Sequence, residues 1–160
     1  MKGKTARSDV MLSKRKNIRL PYYDYSQNGM YFVTVCTKGK RHLFGKIYGS
    51  KMKLNLLGKL IQAQLSAIPS QYIDTRMIYS IIMPNHIHFI VSIETGNHAV
   101  RLGRIVNKFK GLSTRKAGIP LWQRGYFEHV IRTEAELLAI MKYIENNPAR
   151  WELRQRNFQI

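Results

Sequence analysis

The 160-residue sequence is poor in cysteine and in acidic side chains, and it has no long apolar run. Cys36 is the only cysteine, so an intramolecular disulfide is excluded and a reducing cytoplasm is the expected setting. No apolar run approaches the roughly 18 residues that a membrane span needs. The basic N-terminus also lacks the apolar stretch of a signal peptide. We therefore expect no association with a membrane.

The scarcity of acids leaves a large positive charge. Nine Asp and Glu residues stand against 27 Lys and Arg residues, which gives a formal charge of +18. Such an excess favours an anionic partner, with nucleic acid as the first candidate, and the alternative is a solvated basic surface. Residues 1–20 are basic without periodicity, which predicts a flexible basic arm before a single domain at 21–160. A DNA-bound protein of this kind would be cytoplasmic and associated with the nucleoid.

Periodicity along the rest of the chain predicts the order β-β-α-β-β-α-β-α, followed by a basic tail. Strands are predicted over residues 30–37, 43–48, 77–82 and 86–93 and at the end of 121–131. Helices are predicted after Asn55, over 98–116, and from the Thr133 capping box to Pro148. The economical packing is an α+β fold, a ferredoxin-like antiparallel β-sheet of four or five strands with two helices on one face. The strand from His86 would lie centrally.

Two histidines separated by one apolar residue stand in that central strand. Because side chains alternate along a strand, His86 and His88 point to one polar face and the apolar residues point to the other. Imidazole is the commonest protein metal ligand, so the pair predicts half of a metal site. The alternative is a pair of structural, hydrogen-bonded histidines. His129 shares its face with Phe127 and Ile131, which favours a buried, hydrogen-bonded role over metal binding.

Tyr143 and Asn147 lie four residues apart on a flank of the last predicted helix. If that helix covers the histidine face, a metal on His86 and His88 would meet the Asn147 amide, with Tyr143 beside it. With no obvious carboxylate among its ligands, the ion would gain from binding a phosphodiester oxygen. Tyrosine can act as a covalent nucleophile. The alternative for Tyr143 is a half-buried aromatic residue beside the core.

The predicted helix at 98–116 combines an apolar stripe with a dense basic face, which suits a phosphate backbone. Its predicted DNA-binding residues are Arg101, Arg104, Lys108, Lys110, Arg115 and Lys116. Arg124, which precedes the last strand, is assigned the same role.

Six motifs carry a resemblance to a known family. In chain order they are Tyr31-Phe32-Val33-Thr34, Leu54-Asn55-x-x-Gly58, Met83-Pro84-Asn85-His86-Ile87-His88, Phe109-Lys110-Gly111-Leu112-Ser113-Thr114, Trp122-Gln123-Arg124-Gly125-Tyr126-Phe127-Glu128-His129 and Tyr143-Ile144-x-x-Asn147-Pro148. Together they resemble the single-tyrosine HUH transposases, and within them the REP-associated tyrosine transposases of the insertion-sequence-200-like group. The sequence departs from the commonest family pattern at Gly111, where serine is expected.

The resemblance implies a fold of the HUH endonuclease type and a metal-dependent enzyme that nicks and rejoins single-stranded DNA at or near hairpins. It implies Mg²⁺ or Mn²⁺ as cofactor, a 5′-phosphotyrosine intermediate and a free 3′-OH. It places the metal ligands on His86, His88 and Asn147 and the nucleophile on Tyr143. Two alternative functions stay open: a non-catalytic DNA-binding protein, and a nuclease in which water is the nucleophile. The oligomeric state also stays open between a monomer and a homodimer that exchanges a helix.

Overall fold

The structure is a computed structural model that describes residues 29–94 and 100–157. The strands are β1 (Gly29–Cys36), β2 (Gly45–Tyr48), β3 (Lys51–Leu54), β4 (Thr75–Met83), β5 (His86–Ile93) and β6 (Phe127–Ile131). The helices are α1 (Leu56–Ser66), α2 (Ile68–Gln71), α3 (Leu102–Ala117), α4 (Glu134–Glu145) and α5 (Asn147–Asn157). The predicted basic arm at 1–20 lies outside the described residues, as do positions 98 and 99 of the second predicted helix.

Four of the strands form one sheet in the order β4-β5-β1-β6, and each neighbouring pair is antiparallel. Helix α1 connects β1 to β4 and α3 connects β5 to β6, which gives the β-α-β-β-α-β connectivity of ferredoxin-like folds. The predicted α+β class is confirmed. The predicted central position of the histidine strand is also confirmed, because β5 lies between β4 and β1.

Each face of the sheet has its own apolar cluster. Ile87 and Phe89 of β5 pack with the apolar stripes of α1 and α3, so the prediction of two helices on one face is confirmed. The opposite face, expected to be polar, is largely apolar, because Phe32 and Ile90 pack there against α4. Burial of each such side chain stabilises the fold by about 1.5–3 kcal/mol. The histidines therefore lie at one end of a second small core.

The predicted second strand at 43–48 does not join the sheet. Strand β2 begins only at Gly45 and pairs with β3, a four-residue strand that the sequence analysis missed. Gly49 and Ser50 connect the two strands with positive φ angles of 54° and 60°. Two-residue hairpin turns need this geometry. The main sheet consequently has four strands, and the β2–β3 hairpin is an insertion between β1 and α1.

Two helix boundaries differ from the prediction. Arg101 is extended, with φ −83° and ψ 139°, so α3 begins at Leu102. Pro148 does end the preceding helix, because proline has no N–H for the hydrogen bond to the preceding turn. The chain then continues as α5, where only a tail was predicted. No helix within 29–94 and 100–157 is long and apolar enough to cross a membrane.

Two helical glycines should respond to alanine in opposite directions. A Cβ at Gly58 in α1 would lie 2.2 Å from the Phe44 carbonyl oxygen. Gly58→Ala should therefore lower the free energy of unfolding by about 1–3 kcal/mol. A Cβ at the exposed Gly111 in α3 would meet nothing within 4 Å, so Gly111→Ala should raise it by about 0.5–1 kcal/mol. Urea denaturation measures both changes, and two changes of the same sign would contradict this account.

Candidate active site

The two histidines lie on one face of β5 with their rings in contact. The Nε2 atoms of His86 and His88 are 3.1 Å apart, and the ring centroids are 4.6 Å apart. His88 is only 5% exposed, and His86 is half-buried. Two nitrogen atoms thus converge from one strand, as the alternation of side chains predicts.

Each ring is also held at its other nitrogen. Nδ1 of His86 donates to the Asn85 amide oxygen at 2.7 Å, while the Asn85 amide nitrogen donates to the Lys40 carbonyl at 3.4 Å. His86 Nε2 is then an acceptor, so His88 Nε2 donates to it and the Thr34 hydroxyl donates to His88 Nδ1 at 2.8 Å. Because a hydroxyl can also accept, Thr34 can hold either neutral tautomer of His88. Thr34 is a site residue that the sequence analysis missed.

Both rings are neutral near physiological pH. Burial, and after it the charge of Arg154, lowers the pKa of His86 from 6.5 to about 4. Burial, and after it the neighbouring His86, lowers the pKa of His88 well below 6.5. Metals bind the neutral imidazole through a nitrogen lone pair. The pair is therefore in the protonation state that a metal ligand requires.

Tyr143 approaches the histidines from α4. Its ring centroid lies 5.9 Å from that of His88 and 6.4 Å from that of Phe32, each in an edge-to-face arrangement. The prediction that the helix carrying Tyr143 crosses the histidine face is confirmed. Tyr143 is half-buried, which fits both a nucleophile and an aromatic residue that only packs beside the core. Its contact with the His88 ring favours a role in the site.

The start of α4 is capped by Thr133, as predicted, and is tied to β6 by the side chain of Glu136. The Thr133 hydroxyl accepts from the Glu136 N–H, and Glu136 accepts from His129 Nε2 at 2.5 Å and from the Arg132 N–H at 2.8 Å. The Arg132 N–H, and after it His129, lowers the pKa of the Glu136 carboxyl. The hydrogen-bonded role predicted for His129 is confirmed, although its side chain is half-buried rather than buried. These contacts orient the helix that carries Tyr143.

Asn147 follows Tyr143 by one turn, at the first position of α5. Its side-chain Nδ2 is buried and has no hydrogen-bond partner. Among the described residues, no group of three His, Cys, Asp or Glu side chains could hold a metal. The further ligand predicted for a metal on His86 and His88 is Asn147, whose side-chain amide carries an oxygen as well as this unpaired nitrogen. This set of two imidazoles and one amide fits a divalent ion.

Helix α5 lies over this site, although the sequence analysis assigned no role to its residues after Asn147. The Trp151 ring centroid is 6.1 Å from that of His86, and Cζ of Arg150 is 5.3 Å from the centroid of Tyr143. The charge of Arg154 also reaches His86. The spacing of these residues is helical, and it could have been recognised only by extending the helix beyond the proline.

The family of the chain follows from comparison with known proteins. Residues 26–147 match the family described as IS200-like transposases. The chain belongs to this family. An uncharacterised Haemophilus influenzae protein is 35% identical to this chain, over 94% of the chain and 97% of the relative. A candidate REP-associated tyrosine transposase of the same organism is 23% identical, over 79% of the chain and 74% of the relative.

Two solved structures share the fold of this chain. The structure of a REP-associated tyrosine transposase bound to a REP hairpin has a TM-score of 0.65 and 18% identity, covering 84% of this chain and 74% of that one. The crystal structure of a candidate transposase from Deinococcus radiodurans has a TM-score of 0.51 and 21% identity, covering 82% and 97%. At these identities the likeness concerns the fold.

The basic helix α3 lies across the sheet from Tyr143. Leu102, Ile105 and Phe109 of α3 pack into the apolar cluster opposite α4. The predicted DNA-binding residues that are exposed, on α3 or just before it and in the following loop, are Arg101, Arg104, Lys108, Arg115, Lys116 and Arg124. The structure therefore does not bring the α3 cations to the histidines.

Lys110 is half-buried, and its ammonium group is held by hydrogen bonds within the protein. Its Nζ donates to the carbonyl oxygens of Gln123 and Gly125, each at 2.8 Å, and burial lowers its pKa. Nearby, Trp122 Nε1 donates to the Ser113 hydroxyl at 2.8 Å. These contacts join two of the family motifs to each other. Lys110 was predicted to bind DNA. Its contacts indicate a structural role, in which it holds the loop at Gln123 and Gly125 against α3.

Thr34→Val should destabilise the protein through His88. Valine keeps the shape of threonine but leaves Nδ1 of a buried ring unpaired, so the free energy of unfolding should fall by about 1–3 kcal/mol. Thr34→Ser, which keeps the hydroxyl, is the matched control and should lose less. Urea denaturation in the absence of metal compares the variants. A valine variant as stable as the wild type would show that the Thr34–His88 hydrogen bond contributes nothing.

Proposed function

We propose that the protein is a metal-dependent single-stranded DNA endonuclease and strand transferase that forms a 5′-phosphotyrosine intermediate on Tyr143. Its substrate would be DNA at or near hairpins, in the nucleoid. The observation that carries the proposal is the approach of Tyr143 to a pair of neutral histidines, with 5.9 Å between the Tyr143 and His88 centroids. An oxygen nucleophile and metal ligands are the two functions that phosphodiester transfer needs. Hairpin binding by a relative of the same fold supports the substrate.

The proposed reaction uses the Tyr143 hydroxyl as the nucleophile. A bond from its oxygen to the scissile phosphorus forms as the bond from phosphorus to O3′ breaks, and the tyrosine proton ends on the leaving 3′ oxygen. The products are a 5′-phosphotyrosine and a free 3′-OH, and attack by a 3′-OH reverses the step to rejoin strands. Mg²⁺ or Mn²⁺ held by His86, His88 and Asn147 would supply positive charge to the phosphate oxygens.

The position of α3 supports single-stranded DNA as the form that reaches Tyr143. The exposed cations Arg104 and Lys108 lie on the far side of the sheet from the site, and they suit the phosphates of a hairpin stem. Strands in a sheet are about 4.8 Å apart, so a four-stranded sheet is only about 20 Å wide. DNA that passes from α3 on one face to Tyr143 on the other must therefore turn sharply around the sheet edge. Duplex DNA, with a persistence length of about 50 nm, resists such a turn, whereas a single strand can follow it.

Single-stranded hairpin DNA and Mn²⁺ should give a protein–DNA adduct that survives denaturing gel electrophoresis. Tyr143→Phe should abolish the adduct, since it removes the nucleophilic oxygen while keeping the ring that packs on Phe32. Tyr79→Phe, in the same apolar cluster, is the matched control and should form the adduct normally. Nicking without an adduct would indicate attack by water. Hairpin binding without nicking would indicate a non-catalytic DNA-binding protein.

Cleavage and binding should be separable by mutation. His86→Ala should abolish cleavage but change hairpin affinity little, because a neutral imidazole adds little to phosphate binding. Arg104→Gln should do the reverse, weakening binding and reducing the salt slope by about one unit per lost phosphate contact. Fluorescence anisotropy and single-turnover cleavage with and without a chelator measure the two effects. Cleavage by His86→Ala at the wild-type rate after chelation would refute the metal-site assignment.

A further inference from the structure

One face of α5 is directed at the candidate active site. At about 100° per residue, Asn147, Arg150, Trp151 and Arg154 fall on the same side of the helix, while Arg156 falls on the opposite side. The contacts agree with this arrangement, since Arg150 lies over the Tyr143 ring. Two arginines one turn apart thus flank the proposed nucleophile and the proposed metal ligands.

This face is held in place by contacts on two sides of α5. The Trp151 ring lies between two histidines, with its centroid 5.1 Å from that of His42 and 6.1 Å from that of His86. On another side of the helix, the Glu152 carboxylate accepts hydrogen bonds from the backbone N–H groups of Gly49 and Ser50 at 3.2 and 3.0 Å. The hairpin turn and the tryptophan together fix the orientation in which α5 presents its arginines.

Within residues 29–94 and 100–157, no carboxylate forms an ion pair with Arg150 or Arg154. The ion pairs among the described residues join Arg76 to Glu94, His129 to Glu136 and Arg156 to Glu152, and none includes Arg150 or Arg154. Two like charges beside each other repel, and neutral imidazoles do not offset them. The guanidinium group matches phosphate because its N–H groups reach two oxygens at once. An anionic phosphate would therefore relieve the repulsion and complete the site.

We propose that Arg150 and Arg154 bind the non-bridging oxygens of the scissile phosphate and of the phosphotyrosine that follows it. The assignment rests on the proposed function, because it takes that phosphate as the ligand. Both arginines keep their hydrogen bonds to the phosphate while the bond from phosphorus to Tyr143 forms and the bond to O3′ breaks. They stabilise the charge that develops on the phosphate oxygens in the transition state. Both arginines are then catalytic residues, and they lie on α5, a helix for which the sequence analysis predicted only a basic tail.

The first test measures phosphate binding without catalysis. A short DNA strand with a 5′-phosphate is compared with its 5′-hydroxyl twin by anisotropy, using the full chain in the absence of metal. The wild type and Tyr143→Phe should prefer the phosphorylated strand. Arg150→Gln and Arg154→Gln should each lose most of that preference. Arg156→Gln, which removes the same charge from the other side of α5, should keep it.

The second test measures single-turnover cleavage of a hairpin substrate at the mapped site. Arg150→Gln and Arg154→Gln should each slow cleavage by about 100-fold, and Arg156→Gln should not. With an uncharged methylphosphonate at the scissile position, the variants and the wild type should differ by less than about threefold, since the charge that the arginines neutralise is gone. A penalty that persists on methylphosphonate would overturn the assignment, because the arginines would then act through the fold.

The two proposals fail in different ways. If the wild type forms the adduct while Arg150→Gln and Arg154→Gln keep both the phosphate preference and the cleavage rate, the arginine assignment is overturned and the proposed function stands. If the wild type forms no adduct but shows a phosphate preference that both variants lose, Arg150 and Arg154 bind phosphate but the proposed reaction, and with it their catalytic role, fails. Circular dichroism of each variant checks that α5 stays folded.

Discussion

The candidate site depends on the pairing between β1 and β5. Thr34 lies opposite His88 and Cys36 lies opposite His86, so the neighbours of both histidines are set by this register. A slip of one residue would place an apolar valine against His88 and leave its Nδ1 without the Thr34 hydroxyl. What prevents the slip lies on the other face of the sheet. There the fully buried Val33 and Phe89 are paired across the strands and pack into the core under α1 and α3.

The two faces of the sheet thus have different tasks. The face under α1 and α3 supplies most of the buried apolar area, and so most of the stability. The face under α4 has a smaller cluster, in which Phe32 contacts both His88 and Tyr143. A buried imidazole is tolerated there because both of its nitrogens are hydrogen-bonded. The rigidity of the site therefore comes mainly from the core under α1 and α3. The side chains of the site contribute little to that core.

Much of this arrangement could be predicted from local sequence patterns. The alternation around His86 and His88 predicts their common face, and the capping box at Thr133 predicts where α4 begins. The partner of β2 could not be predicted in the same way. Lys51 to Leu54 is too short a run for its alternation to be decisive, and a pair of residues with positive φ sets its turn.

The sheet face on which a helix packs is also outside local sequence information. The basic and apolar stripes of α3 were recognised, but only the chain topology shows that this helix lies across the sheet from Tyr143. Lys110 shows the same limit of local sequence information. Its position among the other basic residues of α3 does not distinguish it from a cation that binds DNA. Its hydrogen bonds to Gln123 and Gly125 come from residues 13 and 15 positions away. These contacts are tertiary, and the helical periodicity around Lys110 does not predict them.

The Asn-Pro pair at 147–148 shows how a local sequence signal can also determine a tertiary contact. Proline cannot donate to the preceding turn, so α4 ends at Glu145 and the helix restarts at Asn147 instead of running on unbroken. After the break α5 reaches the β2–β3 hairpin, where Glu152 binds the turn at Gly49 and Ser50. A helix that ended at the proline would leave Tyr143 and the histidines without any cation from this part of the chain. The same proline that terminates one helix therefore allows the next one to bring Arg150 and Arg154 over the site.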